Sequence, residues 1–292
     1  MVYDKTGNAL TMLYGKDGLA KSTAYGKNGV VVFTSIDYSK STRSAYCTAS
    51  VSATQGFDIF NGVIFQFRTP TSSGNVMATI NAQTQSVINN SIAASSDHGD
   101  SATFSNEYYD SSDDYPLLYV TADTNPAKVY INRVTTTTSQ LIKTLSFPLD
   151  KAGYYAALAL DADNGIAYMV GYSEQNYQTD GGGANKTVIS KWDLSELTEN
   201  QDGSFTPTFL SKIERPFIYV MQGQQFHDGM IWIASGGSNY NGYVYAIDPS
   251  TGNLLFTVDT TTTIEVEGIA FISDNEMVVG HQGGAYYKFT FA

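Results

Sequence analysis

An all-β fold of short, radially repeated sheets is what this sequence predicts, and three observations predict it. First, one local phrase recurs five times: a short apolar strand, a tight polar turn, then a more hydrophobic strand. The copies read QGFDIFNGVIFQF (55–67), ATFSNEYYDSSDDYPLLYV (102–120), YYAALALDADNGIAYMV (154–170), QGQQFHDGMIWIAS (222–235) and VEGIAFISDNEMVVG (266–280). Their anchors Phe57, Phe104, Leu160, Phe226 and Phe271 recur at intervals of 47, 56, 66 and 45 residues, which suits sheets arranged around an axis. Second, only 15% of the 292 residues are charged, against roughly 25% in ordinary soluble domains. Thr, Ser, Asn, Gln, Gly and 21 Tyr take their place, a mix that favours pleated strands over helices. Third, turn signals such as Asp248-Pro249-Ser250-Thr251-Gly252 separate the apolar runs. The predicted architecture is a five-bladed β-propeller with four-stranded blades.

The elements follow in order. Residues 1–30 carry a smaller repeat, Tyr3-Asp4-Lys5-Thr6-Gly7, Tyr14-Gly15-Lys16-Asp17-Gly18 and Tyr25-Gly26-Lys27-Asn28-Gly29, spaced at 11 residues. Each is an aromatic followed by a Lys-x-Gly turn, where Gly supplies the positive φ. Three such units cannot form a core alone. They are read as an attachment segment that lies along another surface or pairs with neighbouring copies, which leaves a homo-oligomer open. Residues 31–292 are read as the propeller. VVVFTSI (30–36) and AYCTASVSA (45–53) read as strands preceding the first blade. Alternation and turns add 75–81 and 85–92 to blade one, then 127–134 and 139–147 to blade two. Blade three gains 186–193 and 206–214 around a helical turn at SELTEN (195–200). Blade four gains 242–248 and 253–259. Blade five has 264–272, 275–280 and 284–291, one strand short. A strand at 44–52 is expected to complete it and close the ring, which removes open sheet edges.

The net charge of −12, with no Lys/Arg cluster, argues against nucleic acid and anionic membrane as partners. No run approaches the roughly 18–20 apolar residues of a membrane span. Cys47 is the only cysteine, so no intrachain disulfide forms, and a buried apolar role is expected for it. The opening MVYDKTGNAL shows no basic region followed by an apolar stretch, so no secretory signal is read in it.

Blade geometry places the residues before each inner strand on the same face as those after each second strand. The first group contains Gln55, His98, Asp100, Tyr154, Gln222, Gln224, Glu265 and Glu267; the second contains Arg68, Asp123, Tyr172, Asn239, Tyr240, His281 and Gln282. His227, in a Phe-His-Asp-Gly hairpin, falls on the opposite face. The long polar loops SEQNYQTDGGGANK (173–186) and SGGSNYNG (235–242) belong to the first face, and long loops on a rigid scaffold favour binding. Tyr offers a flat apolar face for a sugar ring, while Asn, Gln and Asp hydrogen-bond its hydroxyls. Tyr172, Tyr177, Asn239, Tyr240 and His281 are therefore the expected ligand contacts. The catalytic candidates are Glu267, His98 and His281, as acid/base groups. Asp161-Ala162-Asp163-Asn164-Gly165 begins like a calcium loop, but Tyr172 stands where the bidentate Glu is needed, so a hairpin turn is expected. No metal and no cofactor is expected.

Two resemblances accompany this reading. The blade phrases, above all Val266-Glu267-Gly268-Ile269-Ala270-Phe271, resemble inner strands of lactonase- and glutaminyl-cyclase-type propellers over residues 50–292. The Glu is not repeated at Gln55-Gly56-Phe57 or Gln222-Gly223-Gln224-Gln225-Phe226, so no activity is carried over. The Tyr-Asp-Lys-Thr-Gly-Asn start and its echoes resemble repeats in phage and prophage structural proteins of gut bacteria. That resemblance implies a virion-associated propeller, located on the particle or extracellular, docked on other virion proteins through residues 1–30. The expected function is structural or glycan- and receptor-binding, with host recognition on the outward face. The alternatives are a propeller hydrolase, lyase or cyclase acting on surface polysaccharide or a small molecule, and a purely architectural decoration.

Overall fold

The computed structural model describes residues 36–49, 51, 54–71, 74–237, 241–261 and 264–292, with the backbone of four short strands before them. Among these, β1 (Val2–Tyr3) pairs with β2 (Ala9–Leu10) and β3 (Ser22–Tyr25) with β4 (Val31–Thr34), both antiparallel. The three Lys-x-Gly segments lie outside the described residues.

The strands from β5 (Ser41–Thr48) onward form four-stranded antiparallel meanders, here called blades. The first is β6 (Thr54–Phe60), β7 (Val63–Thr71), β8 (Gly74–Asn81) and β9 (Ser86–Ala93). The second is β10 (Ser101–Phe104), β11 (Leu118–Ala122), β12 (Ala127–Val134) and β13 (Ser139–Phe147). After a short helix α1 (Leu149–Ala152) come β14 (Tyr154–Asp161), β15 (Ile166–Tyr172), β16 (Lys186–Glu199) and β17 (Phe205–Pro216). The fourth is β18 (Met221–His227), β19 (Met230–Ser235), β20 (Tyr243–Ile247) and β21 (Leu254–Asp259). The last contains β22 (Val266–Ser273), β23 (Glu276–His281) and β24 (Ala285–Phe291). Its fourth strand is β5, in antiparallel register from Ala285↔Thr48 to Phe291↔Ser41. The closure expected at 44–52 is therefore made, three residues earlier.

Two features depart from expectation. SELTEN is not helical: β16 bulges between Asp193 and Leu197, then rejoins β17 through Leu197↔Pro207, Thr198↔Thr206 and Glu199↔Phe205. Leu194 and Leu197 pack on the apolar cluster between blades two and three, burial that a solvated turn would forgo. This long hairpin also meets blade two, where Leu145 pairs in parallel with Phe205. The short helix instead follows Pro148.

The core explains why the second strand of each phrase is so apolar. In β19, Ile231 and Ile233 enter the cluster shared with blade three, while Trp232 and Ala234 enter the one shared with blade five. In β23, Met277 and Val279 face blade four and Val278 faces the first blade. Such strands are buried on both faces, so alternation gives way to continuous hydrophobicity. Cys47 is buried in the cluster between the last and first blades.

At the axis the inner strands touch through backbone. A Cβ on Gly56 would stand 2.6 Å from Gly99 O, and one on Gly223 2.6 Å from Gly268 Cα. Ser101 Oγ lies 3.0 Å from Leu158 O and 2.9 Å from Gln224 O, and Gln225 Nε2 donates to Ala102 O at 2.8 Å. The pockets at the two ends share no lining residue.

Candidate functional site

Four inner strands lose register at their first residues: between Thr54 and Phe57, Tyr154 and Ala157, Met221 and Gln224, and Val266 and Gly268. Bulges re-aim side chains and end pairing. Here they sit at one end of the axis. Tyr155 adopts φ 49° within one of them, its N–H donating to Asn125 Oδ1 at 2.9 Å. Before β10 the same job falls to Asp97 and Gly99, at φ 49° and 75°.

The resulting pocket has a volume of about 390 Å³, within the roughly 300–1,000 Å³ usual for small-molecule sites. His98, Asp100 and Asp123 line it together with Gln222 and Glu265, and Tyr155, Tyr172, Tyr177 and Tyr219 add aromatic walls. Tyr155 and Tyr177 meet edge to face, with centroids 5.2 Å apart at 71°. No Lys or Arg lines the pocket among the described residues.

His98 Nδ1 lies 2.6 Å from Asp100 Oδ1, and this hydrogen bond raises the His98 pKa against the opposing effect of burial. Desolvation and then Asp100 push Asp123 up to about 6. Gln222 Nε2 donates to Glu265 Oε1 at 3.0 Å. Glu267 stands behind, 3% exposed, and burial followed by repulsion from Glu265 and Asp100 pushes it up to about 9. Carboxylates crowded away from water hold protons. One ligand atom from each of His98, Asp100 and Asp123 lies within 4.8 Å of the other two.

The sequence-expected residues divide. His98, Tyr172 and Tyr177 line this pocket. Tyr172 is nonetheless buried, and its hydroxyl accepts the Met221 N–H at 2.6 Å. Glu267 neighbours Asp100 without lining the pocket. His281 does not line it: it is 1% exposed, its Nδ1 3.3 Å from Ile264 O, and burial lowers its pKa. Asn239 and Tyr240 lie outside the described residues. Sequence reasoning missed Tyr155, Tyr219 and Gln178. Tyr219 lies two residues before β18 and was findable; Tyr155 displaces its neighbour Tyr154 because the bulge changes the phase.

No family model matches this chain, and no curated protein matches it in sequence. Among solved structures, the glutaminyl cyclase of Myxococcus xanthus aligns with a TM-score of 0.51 at 14% identity, covering 86% of this chain and 97% of that one. The fold is a β-propeller. At that identity the likeness is one of fold alone. The PQQ-bound aldose sugar dehydrogenase of Streptomyces coelicolor aligns at TM-score 0.49 and 8% identity, over 87% and 99% of the two chains. A structural-genomics protein of unknown function from Bacteroides thetaiotaomicron aligns at 0.44 and 13%, over 91% and 80%. No helix among the described residues is long and apolar enough to cross a membrane.

Proposed function

We propose that this propeller is a binding module whose bulge-lined mouth takes a sugar unit of a surface glycan. One observation carries the reading: Tyr155, Tyr177 and Tyr219 line one pocket together with Asp100, Asp123, Gln222 and Glu265. A pyranose has apolar C–H faces that lie against aromatic rings and hydroxyls that donate to carboxylates and amides. Docking on a phage or prophage particle through residues 1–30 belongs to the same proposal and rests on the N-terminal repeats. Binding of the full chain to a glycan array tests the mouth. Tyr155→Ala and Tyr177→Ala are each expected to weaken the best hit by about 10-fold, about 1.4 kcal/mol. Undiminished binding by both variants rejects this placement.

The 2.6 Å pairing of His98 with Asp100 favours a second reading, a propeller enzyme acting on the same sugar. An Asp-oriented imidazole is a competent general base, and Asp123, at about 6, is a neighbouring acid. Cleavage of the bound glycan by wild type, lost in His98→Gln with binding retained, would establish it. Binding without turnover leaves the module reading.

A further inference from the structure

Two properties of the bulge-lined mouth go beyond what a plain sugar needs. The first is the tilt of its rings. Tyr177 meets Tyr155 at 71° with centroids 5.2 Å apart, and Tyr172 at 38° and 6.2 Å. All three line the pocket, and Tyr219 joins them. Rings inclined to one another surround a volume, whereas a pyranose lies against one flat face. Two of them are fixed from within the fold. The Tyr172 hydroxyl accepts the Met221 N–H, and Tyr155 sits in its bulge at φ 49° with its N–H held by Asn125. Preorganised walls lose little freedom when a ligand enters.

The second property is charge. Among the described residues His98 is the only basic group in the lining, and it is committed to Asp100. Glu265 accepts the Gln222 amide. The Asp123 carboxylate has no hydrogen-bond or ion-pair partner among the described residues. Asp100, Asp123 and Glu265 outnumber His98, so the pocket stays negative even with the imidazole protonated.

We infer that this mouth takes a quaternary ammonium group of the choline type, its methyl groups among the tyrosine rings and the Asp123 carboxylate its counter-charge. A cation over aromatic faces is drawn by the ring quadrupole, and rings around an ammonium make an aromatic cage. A primary ammonium would bring three N–H donors that need acceptors away from water. Asp100 and Glu265 are already bonded, so the lining suits a cation that has no N–H to satisfy. The inference rests on the sugar-binding reading in one respect: it makes the group a substituent of the glycan unit bound there.

Calorimetric titration of the full chain with choline chloride tests it without any glycan. The control is dimethylbutanol, in which a tert-butyl group of the same shape replaces the trimethylammonium. One equivalent of choline is expected, bound at least about 10-fold more tightly than the alcohol. Tyr155→Ala and Tyr177→Ala should each weaken it about 10-fold and Asp123→Asn about 5-fold, whereas Tyr177→Phe, which keeps the ring, should stay within about 2-fold. Circular dichroism of the variants shows that they fold. Choline bound no more tightly than the alcohol, or equally by Tyr177→Ala and Asp123→Asn, overturns the cage. Tighter binding of ethanolamine than of choline overturns the quaternary class. Glycan-array binding without choline binding overturns this inference and leaves the sugar reading; choline binding with no glycan hit keeps the cage and rejects the sugar.

Discussion

The two ends of the propeller axis are built from the same inner strands and differ in what their polar groups do. The far mouth is the larger, about 590 Å³. There Asp58 accepts the Ile59 and Phe104 N–H groups at 2.8 and 2.7 Å, and Asp161 accepts the Asn164 amide at 3.0 and 2.9 Å. Asn106 donates to Asp163 at 2.5 Å and the Tyr38 hydroxyl to Asp228 at 3.1 Å. His227 stacks on Phe271, with centroids 3.8 Å apart. Its carboxylates are thus bonded within the fold, although the buried Thr103 hydroxyl there has no partner among the described residues. At the near mouth, Asp100 and Asp123 crowd one histidine, and Glu267 is buried behind them. Volume therefore does not mark the site; the crowding of Asp100 and Asp123 around His98 does.

The strongest break in this comparison comes from pH. Burial raises the Asp58 carboxyl from 3.8 to about 7, against hydrogen bonds from Phe104, Ile59 and Gln225 that lower it. The native state then holds this proton to higher pH than the unfolded chain does. The Asp58 contribution to stability should fall as pH rises from about 4 to about 7 and level off above. The full shift corresponds to on the order of 4 kcal/mol. Glu267 contributes a fall of the same sign, so the informative quantity is the difference from Asp58→Asn. Urea unfolding near pH 4.5 and near pH 7.5 should show a fall in the variant smaller than that of wild type by about 3 kcal/mol; parallel slopes would remove Asp58 from the account.

Next in size is the closed axis that separates the mouths. Gly223→Ala forces a Cβ against Gly268 backbone, and overpacking against backbone should cost about 3 kcal/mol. Thermal unfolding measures it, and a loss below about 1 kcal/mol would show that the strands part easily. The smallest effect contrasts the carboxylates themselves. Asp161→Ala removes turn hydrogen bonds and should cost about 1 kcal/mol, whereas Asp123→Asn should change stability by less than about 0.5 kcal/mol. A larger loss for Asp123→Asn would make the near mouth structural and weaken both site proposals.

Much of the fold was legible because its signals are local. The run Met230-Ile231-Trp232-Ile233-Ala234 announced a doubly buried strand, and the unpaired last blade announced the return of a strand such as β5. Strand polarity alone grouped His98, Asp100, Asp123, Gln222 and Glu265 on one face. SELTEN misled because its polar composition resembles a solvated turn, while its pairing with 205–207 depends on a hairpin reaching blade two. His281 misleads because the end of a second strand reads as an exposed position, while the packing of Tyr287 against it, 5.4 Å between centroids, is not readable from the sequence.

From the amino-acid order alone came the alternation of strands and turns, the repeat, and the end of the axis on which each polar residue falls. Those depend on backbone preferences within a few positions. Tertiary structure alone decided that Tyr155 rather than Tyr154 enters the mouth, that Tyr172 engages Met221, and that Glu267 is shut behind Asp100. These outcomes turn on bulge phase and on glycine contacts such as Gly223 against Gly268, between residues brought together only when the ring closes.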